Sequence, residues 1–197
     1  MKTLTVEFTG TPAAGKTTCI NKMMDHFAKS GYKVGFVQES AEITPKNFPK
    51  GCFDSHLWMR LHSLENILVE KYSECDILLI DRGVIDGIFY TYLFLSRNPK
   101  DEEKCFALIQ FLRQLDFLLP NFLFVFTSDP EISVKRKGRE GILVTLDCIK
   151  KYNQLLSNFL PEINVPYKLI DSSNLIKDEV FTIVLKEMQN LIKNNLS

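Results

Sequence analysis

The chain has 197 residues, 45% of them hydrophobic and 24% charged, with 24 basic residues balanced by 24 acidic ones. That length suits one domain, residues 1–197, with a core that needs neither disulfides nor metal. A formal net charge of zero gives no global field for nucleic acid or an anionic membrane, so polynucleotide binding would require a local basic patch.

The five cysteines, Cys19, Cys52, Cys75, Cys105 and Cys148, are odd in number and scattered, with no CxxC pair. They read as reduced thiols of a cytoplasmic protein. No apolar run of signal-peptide length precedes Glu7, and no later stretch approaches the roughly 18 residues that span a bilayer, so no membrane partner is expected.

Residues 3–9 alternate, with Leu4, Val6 and Phe8 on one face, and predict the first strand. In "FTGTPAAGKTTCI", which begins at Phe8, Gly10, Gly15, Lys16 and Thr17 satisfy GxxxxGK[ST] between an apolar strand and an amphipathic helix, the context this motif requires. Such a loop turns backbone amides and a positive helix end toward phosphates. The candidate ATP-binding residues are therefore Gly10, Thr11, Pro12, Ala13, Ala14, Gly15, Lys16, Thr17 and Thr18. Lys16 would reach the β- and γ-phosphates, and the Thr17 hydroxyl would ligate Mg2+.

A helix over 15–30 follows, ended by Gly31, and "YKVGFVQ" predicts a second, buried strand. Ligands of open parallel sheets bind beyond the carboxyl ends of strands, so Glu39 in "QES" faces the acceptor. It would take the proton of an attacking hydroxyl or orient that hydroxyl; Glu42 competes for the part. The long loop "ESAEITPKNFPKGCF" leads to a helix capped by Asp54 or Ser55, on which Leu57, Leu61, Leu64 and Leu68 form one apolar stripe.

The third strand, "CDILLIDRG", ends in Asp81, where a P-loop protein places a magnesium carboxylate, and Arg82 adds a fixed positive charge. Helices are predicted over 85–96, 100–118, 130–137, 146–160 and 177–194, with strands at "NFLFVFT" and "VPYKLID". Alternating strands and helices imply a parallel sheet covered on both faces. After the fourth strand, Lys135, Arg136, Lys137 and Arg139 crowd around Gly138. A closing lid over about 136–145 would use Arg136 and Arg139 to stabilise γ-phosphate charge; the plain alternative is a solvated basic helix end. His26, His56 and His62 have no carboxylate at a catalytic spacing and are assigned no chemistry.

Together these residues resemble the P-loop kinases of small molecules, and more narrowly the deoxynucleoside kinase and thymidylate kinase group, over nearly the whole chain. The resemblance implies a three-layer α/β/α sandwich, a five-stranded parallel sheet of order 2-3-1-4-5, a helical lid, and "DSSN" from Asp171 near the adenine. It also implies an acceptor site at Glu39, Phe53, Trp58, Arg60, Arg82, Asp86 and Tyr90. Two departures stand out: "DRG" where deoxynucleoside kinases usually carry "ERS", and "QES" without the arginine and proline that commonly flank the thymidylate kinase glutamate.

The expected reaction is ATP- and Mg2+-dependent transfer of the γ-phosphate to a nucleoside or nucleoside monophosphate, catalysed by Lys16, Glu39, Arg82, Arg136 and Arg139. Lys46, Lys50 and Arg60 leave both acceptors open. A regulatory ATPase, or a kinase of another small alcohol such as an antibiotic, are the alternatives. Nucleic acid is disfavoured because no long basic stripe is visible, a GTPase because no NKxD follows the fourth strand, and a homodimer is left open.

Overall fold

The computed structural model describes residues 3–49, 51–138 and 145–196. Five short apolar runs pair as one parallel sheet: β1 (Leu4–Gly10), β2 (Val34–Val37), β3 (Ile77–Asp81), β4 (Phe122–Thr127) and β5 (Tyr167–Asp171). Their order is β2-β3-β1-β4-β5, as the resemblance implies. In the central strand Leu4, Val6 and Phe8 share a face, but Thr5, Glu7 and Thr9 on the other face are buried too. The alternation therefore separates two covered faces, not core from solvent.

Between the strands run α1 (Lys16–Lys29), α2 (Phe53–Lys71), α3 (Val84–Leu95), α4 (Glu102–Arg113), α5 (Pro130–Lys137), α6 (Leu146–Phe159) and α7 (Lys177–Asn195). On one face of the sheet Leu4, Val6 and Phe8 meet Ile20, Met23 and Phe27 of α1 and Val180, Val184 and Met188 of α7. The other face carries two clusters. One joins β4 to α3 and α6 through Val125, Phe89 and Tyr152, and the other joins β3 to α2 and α4 through Leu78, Ile67 and Leu108. Burying these side chains on both faces supplies the main drive to this three-layer arrangement.

Several boundaries move. The helix expected over 100–118 is α4 flanked by 3-10 turns at Pro99–Asp101 and Asp116–Leu118. The cap of α2 is Cys52, not Asp54 or Ser55; its sulfur accepts the Ser55 amide at 3.5 Å. The leucine stripe is corrected more substantially. Leu64 is buried, but Leu61 and Leu68 are 48% and 36% exposed, and α2 instead turns Ser55, His56, Arg60 and Ser63 inward. Most of the expected lid, including Arg139, lies outside the described residues, as does Lys50. Among the described residues no helix is long and apolar enough to cross a membrane.

Candidate active site

Phosphate-loop geometry follows from where Cβ atoms cannot fit. A side chain at Gly10 (φ 120°) would place Cβ 1.9 Å from the Phe126 carbonyl oxygen, and Gly15 opens α1 at φ 96°. Ala13 also takes a positive φ, 58°. This backbone brings the loop over the carboxyl end of the sheet, where the Thr11 amide donates to Phe126 at 2.8 Å. Lys16 is buried and donates to the carbonyls of Gly10 and Thr11 at 3.0 and 2.8 Å. Burial, and then the nearby charge of Arg82, pushes it down to about 8, against the pull of Asp81 and Glu39.

The Thr17 hydroxyl donates to Asp81 Oδ2 at 2.5 Å, while Asp81 Oδ1 is buried with no partner among the described residues. Burial raises the Asp81 pKa, opposed by Lys16 and Arg82. A hydroxyl beside a buried carboxylate oxygen in need of a cation fits Mg2+, which ordinarily takes one or two protein oxygens and completes its shell with phosphates and water. No cluster of three or more His, Cys, Asp or Glu that could hold a metal ion is found among the described residues.

Arg82 sits at the start of α3 in the left-handed region, φ 67°. Its Nε stands 2.8 Å from Glu39 Oε1, out of line for a hydrogen bond, and its Nη1 donates to Asp86 Oδ1 at 2.9 Å. Tyr90 lies under the guanidinium at 4.8 Å. Burial opposes its charge, but Asp86 and Glu39 outweigh that cost and hold Arg82 well above its ordinary value. Asp86 Oδ1 also accepts from Thr9 at 2.5 Å and Tyr152 at 3.0 Å. Its Oδ2 has no hydrogen bond and faces Arg60 Nη1 at 4.0 Å, while the Arg60 Nε and Nη1 are likewise unsatisfied.

Two cavities meet here. The larger, about 940 Å³, is lined by the loop from Pro12 to Cys19 and, opposite it, by Arg136, Ser172, Leu175 and Ile176. The second, about 470 Å³, lies between the 39–52 loop, α2 and α3, with His56, Met59, Arg60 and Phe94 in its wall. Glu39, Arg82 and Tyr90 line both. Glu42 lines only the larger one, is exposed, and accepts from Gln38 at 3.0 Å.

Of the sequence-predicted acceptor residues, Glu39, Arg60, Arg82 and Tyr90 line the second cavity and Asp86 lies buried behind them, while Phe53 and Trp58, and Arg136 of the expected lid, are placed otherwise than expected. Phe53 does not line the second cavity; it packs against the α2–α4 core with Lys104 over its ring at 5.5 Å. Trp58 does not line it either, because its ring is stacked on His62 at 4.8 Å on another face of α2. Arg136, expected at the γ-phosphate, spends its Nη2 on the Ser172 carbonyl at 2.7 Å and its Nη1 on the Ser172 hydroxyl at 3.1 Å. It clasps the β5–α7 turn containing the expected adenine loop.

His56 and Phe94 were missed; they stack at 4.8 Å and form the aromatic wall expected from Phe53 and Trp58. The available signal was spacing, since His56 lies four residues before Arg60 and shares its helix face.

Comparison with solved structures covers almost the whole chain. One neighbour is a deoxyadenosine kinase from M. mycoides with the products dCMP and a flexible dCDP bound: 17% identity, 94% of this chain and 99% of that one, TM-score 0.75. The fold is that of the P-loop deoxynucleoside kinases. A second structure of deoxyadenosine kinase from M. mycoides, with dATP bound, matches this kinase fold at 16% identity over 96% of this chain and 100% of that one, TM-score 0.71. No family profile and no curated protein sequence matches.

Proposed function

We propose that the protein is an ATP- and magnesium-dependent kinase of a nucleoside. The observation that carries this reading is the meeting of two cavities at Glu39, Arg82 and Tyr90. A regulatory ATPase needs the phosphate cavity alone, whereas a kinase needs a second chamber opening onto the same carboxylate. The M. mycoides kinases of this fold, holding dCMP, dCDP or dATP, favour a nucleoside among small alcohols.

In this reading the loop amides and Lys16 hold the ATP phosphates. Thr17 and Asp81 would hold magnesium, which when bound neutralises charge on the β- and γ-phosphates. Glu39 accepts the proton of the acceptor hydroxyl as its oxygen bonds to the γ-phosphorus and the bond to the β-phosphate oxygen breaks. Arg82 stands against Glu39 and holds it in place, and its charge lies beside the transferring group. Arg136 positions the turn against the nucleotide base, leaving Arg139 the part of lid cation. His56, Arg60, Tyr90 and Asp86 border or support the acceptor chamber. Five free thiols fit a reducing cytoplasm.

The test is γ-labelled ATP with magnesium and a panel of nucleosides and their monophosphates. Label in a nucleoside monophosphate supports the proposal; label in a diphosphate moves the acceptor to the nucleotide; label only in inorganic phosphate overturns the kinase reading. Lys16→Ala should lower turnover by roughly 100-fold or more, the scale of removing one charge-stabilising donor.

A further inference from the structure

Glu7 is fully buried in the central strand of a sheet covered on both sides. Among the described residues it has no cationic partner. Its carboxylate accepts the Asp86 amide at 2.7 Å and the Ile85 amide at 3.2 Å. These belong to the first turn of α3, whose amides have no partners inside the helix. A buried carboxylate is costly unless hydrogen-bonded, so these contacts and its position are mutually dependent.

The residue between this turn and Arg82 is Gly83. Its φ of −96° is not the left-handed conformation that calls for glycine. Space calls for it instead: a Cβ there would lie 2.6 Å from Glu7 Oε2 and 2.9 Å from its Cδ. The other close atom is the Ile80 Cγ2 methyl at 2.9 Å.

The turn held in this way carries the charges of the site. Arg82 is pinned on its near side by its amide to the Phe8 carbonyl at 3.1 Å and by Ser63 Oγ on its own carbonyl at 3.2 Å. On its far side the chain passes through Gly83 to the two amides that Glu7 holds. Asp86, one of these two residues, takes Arg82 Nη1, and Arg82 in turn stands against Glu39.

We propose that Glu7 is a positioning residue: from the central strand it fixes the first turn of α3, and through it the Arg82–Asp86 pair against Glu39, with Gly83 as its obligatory spatial partner. This rests on the kinase reading for its catalytic consequence. It also accounts for part of the need for glycine in "DRG", since the Glu7 carboxyl crowds a Cβ there most closely and the Ile80 methyl crowds it next.

The experiment compares Glu7→Ala, Glu7→Gln, Gly83→Ala and the double variant Glu7→Ala/Gly83→Ala. Glu7→Ala should lower kcat for the acceptor at least tenfold at an unchanged KM for ATP, since Lys16 and the phosphate loop are untouched. Glu7→Gln should lose less, because its carbonyl oxygen retains the Asp86 amide. It also serves if the alanine variant fails to fold. The double variant should recover turnover relative to Gly83→Ala alone. A kcat within twofold of wild type in Glu7→Gln and Glu7→Ala, or losses that simply multiply in the double variant, would overturn the proposal. If wild type phosphorylates no acceptor, the kinase reading falls and the Arg82 Nε–Hε NMR signal, assigned with Arg82→Lys, decides alone. Slow solvent exchange in wild type that is lost in Glu7→Ala and only partly lost in Glu7→Gln supports positioning; a signal unchanged in both overturns it.

Discussion

Lys16 carries its charge against burial, and that makes nucleotide affinity depend on pH. In the free protein it lies at about 8, lowered first by desolvation and then by Arg82. Bound phosphates favour the charged form and so raise it. By linkage ATP then binds the protonated lysine more tightly, and affinity should fall as pH rises through about 8, at most about tenfold per unit. Calorimetric titration with a non-hydrolysable ATP analogue at pH 7 and pH 9 checks this; equal affinities would contradict it. At this scale legibility was uneven. Where Lys16, Thr17, Asp81 and Arg82 would stand was readable from sequence because a phosphate loop and a strand end fix their directions through local backbone. Glu7 was not, because its role is set by which helix covers the far face of β1, and alternation alone cannot tell a second buried face from solvent.

Among the elements, α2 shows most clearly where pattern and packing part. Its leucines gave the strongest periodic signal, yet Leu61 and Leu68 stand exposed and the inward row is His56, Arg60, Ser63 and Leu64. The buried side of α2 meets Thr91, Arg82 and Asp86 through His56, Ser63 and Arg60, so it carries polar groups and apolar periodicity points the wrong way. β1, β3 and β4 had no such conflict, being buried on both faces, and the strand order agreed with the resemblance. His56 illustrates what the inward row offers. The Thr91 hydroxyl gives its proton to the Gly87 carbonyl at 2.7 Å, so the imidazole donates from Nε2 to Thr91 at 3.0 Å. Burial, and then Arg60, pushes the ring down to about 3, so it is neutral and Nδ1 is an acceptor without a partner among the described residues. His56→Ala should raise the acceptor KM by about tenfold, the equivalent of one hydrogen bond. Trp58→Ala, altering a ring outside the cavity, should leave it within twofold; steady-state kinetics on the acceptor separates the two.

Across the molecule, the carboxyl ends of adjacent strands collect the chemistry: Gly10 closes β1, Glu39 follows β2 and Asp81 closes β3. The two cavities share a wall at Glu39, Arg82 and Tyr90. A nucleoside tethered through phosphates to adenosine should fill both at once, and an effective concentration in the millimolar range should make it bind at least about 100-fold tighter than either half. Calorimetry on the tethered compound and its halves checks this, and an affinity no better than that of ATP would show that the chambers cannot be occupied together.

The cap of α2 has a practical consequence. Four of the five thiols are buried, and burial pushes Cys19 up to about 12. Cys52 instead has its pKa lowered by the Ser55 amide and hydroxyl, and it stands in the wall of the smaller cavity. The unaltered chain thus carries a natural anchoring point for a fluorophore at the doorway of the acceptor chamber, so that the arrival and departure of a molecule there become visible as changes in emitted light.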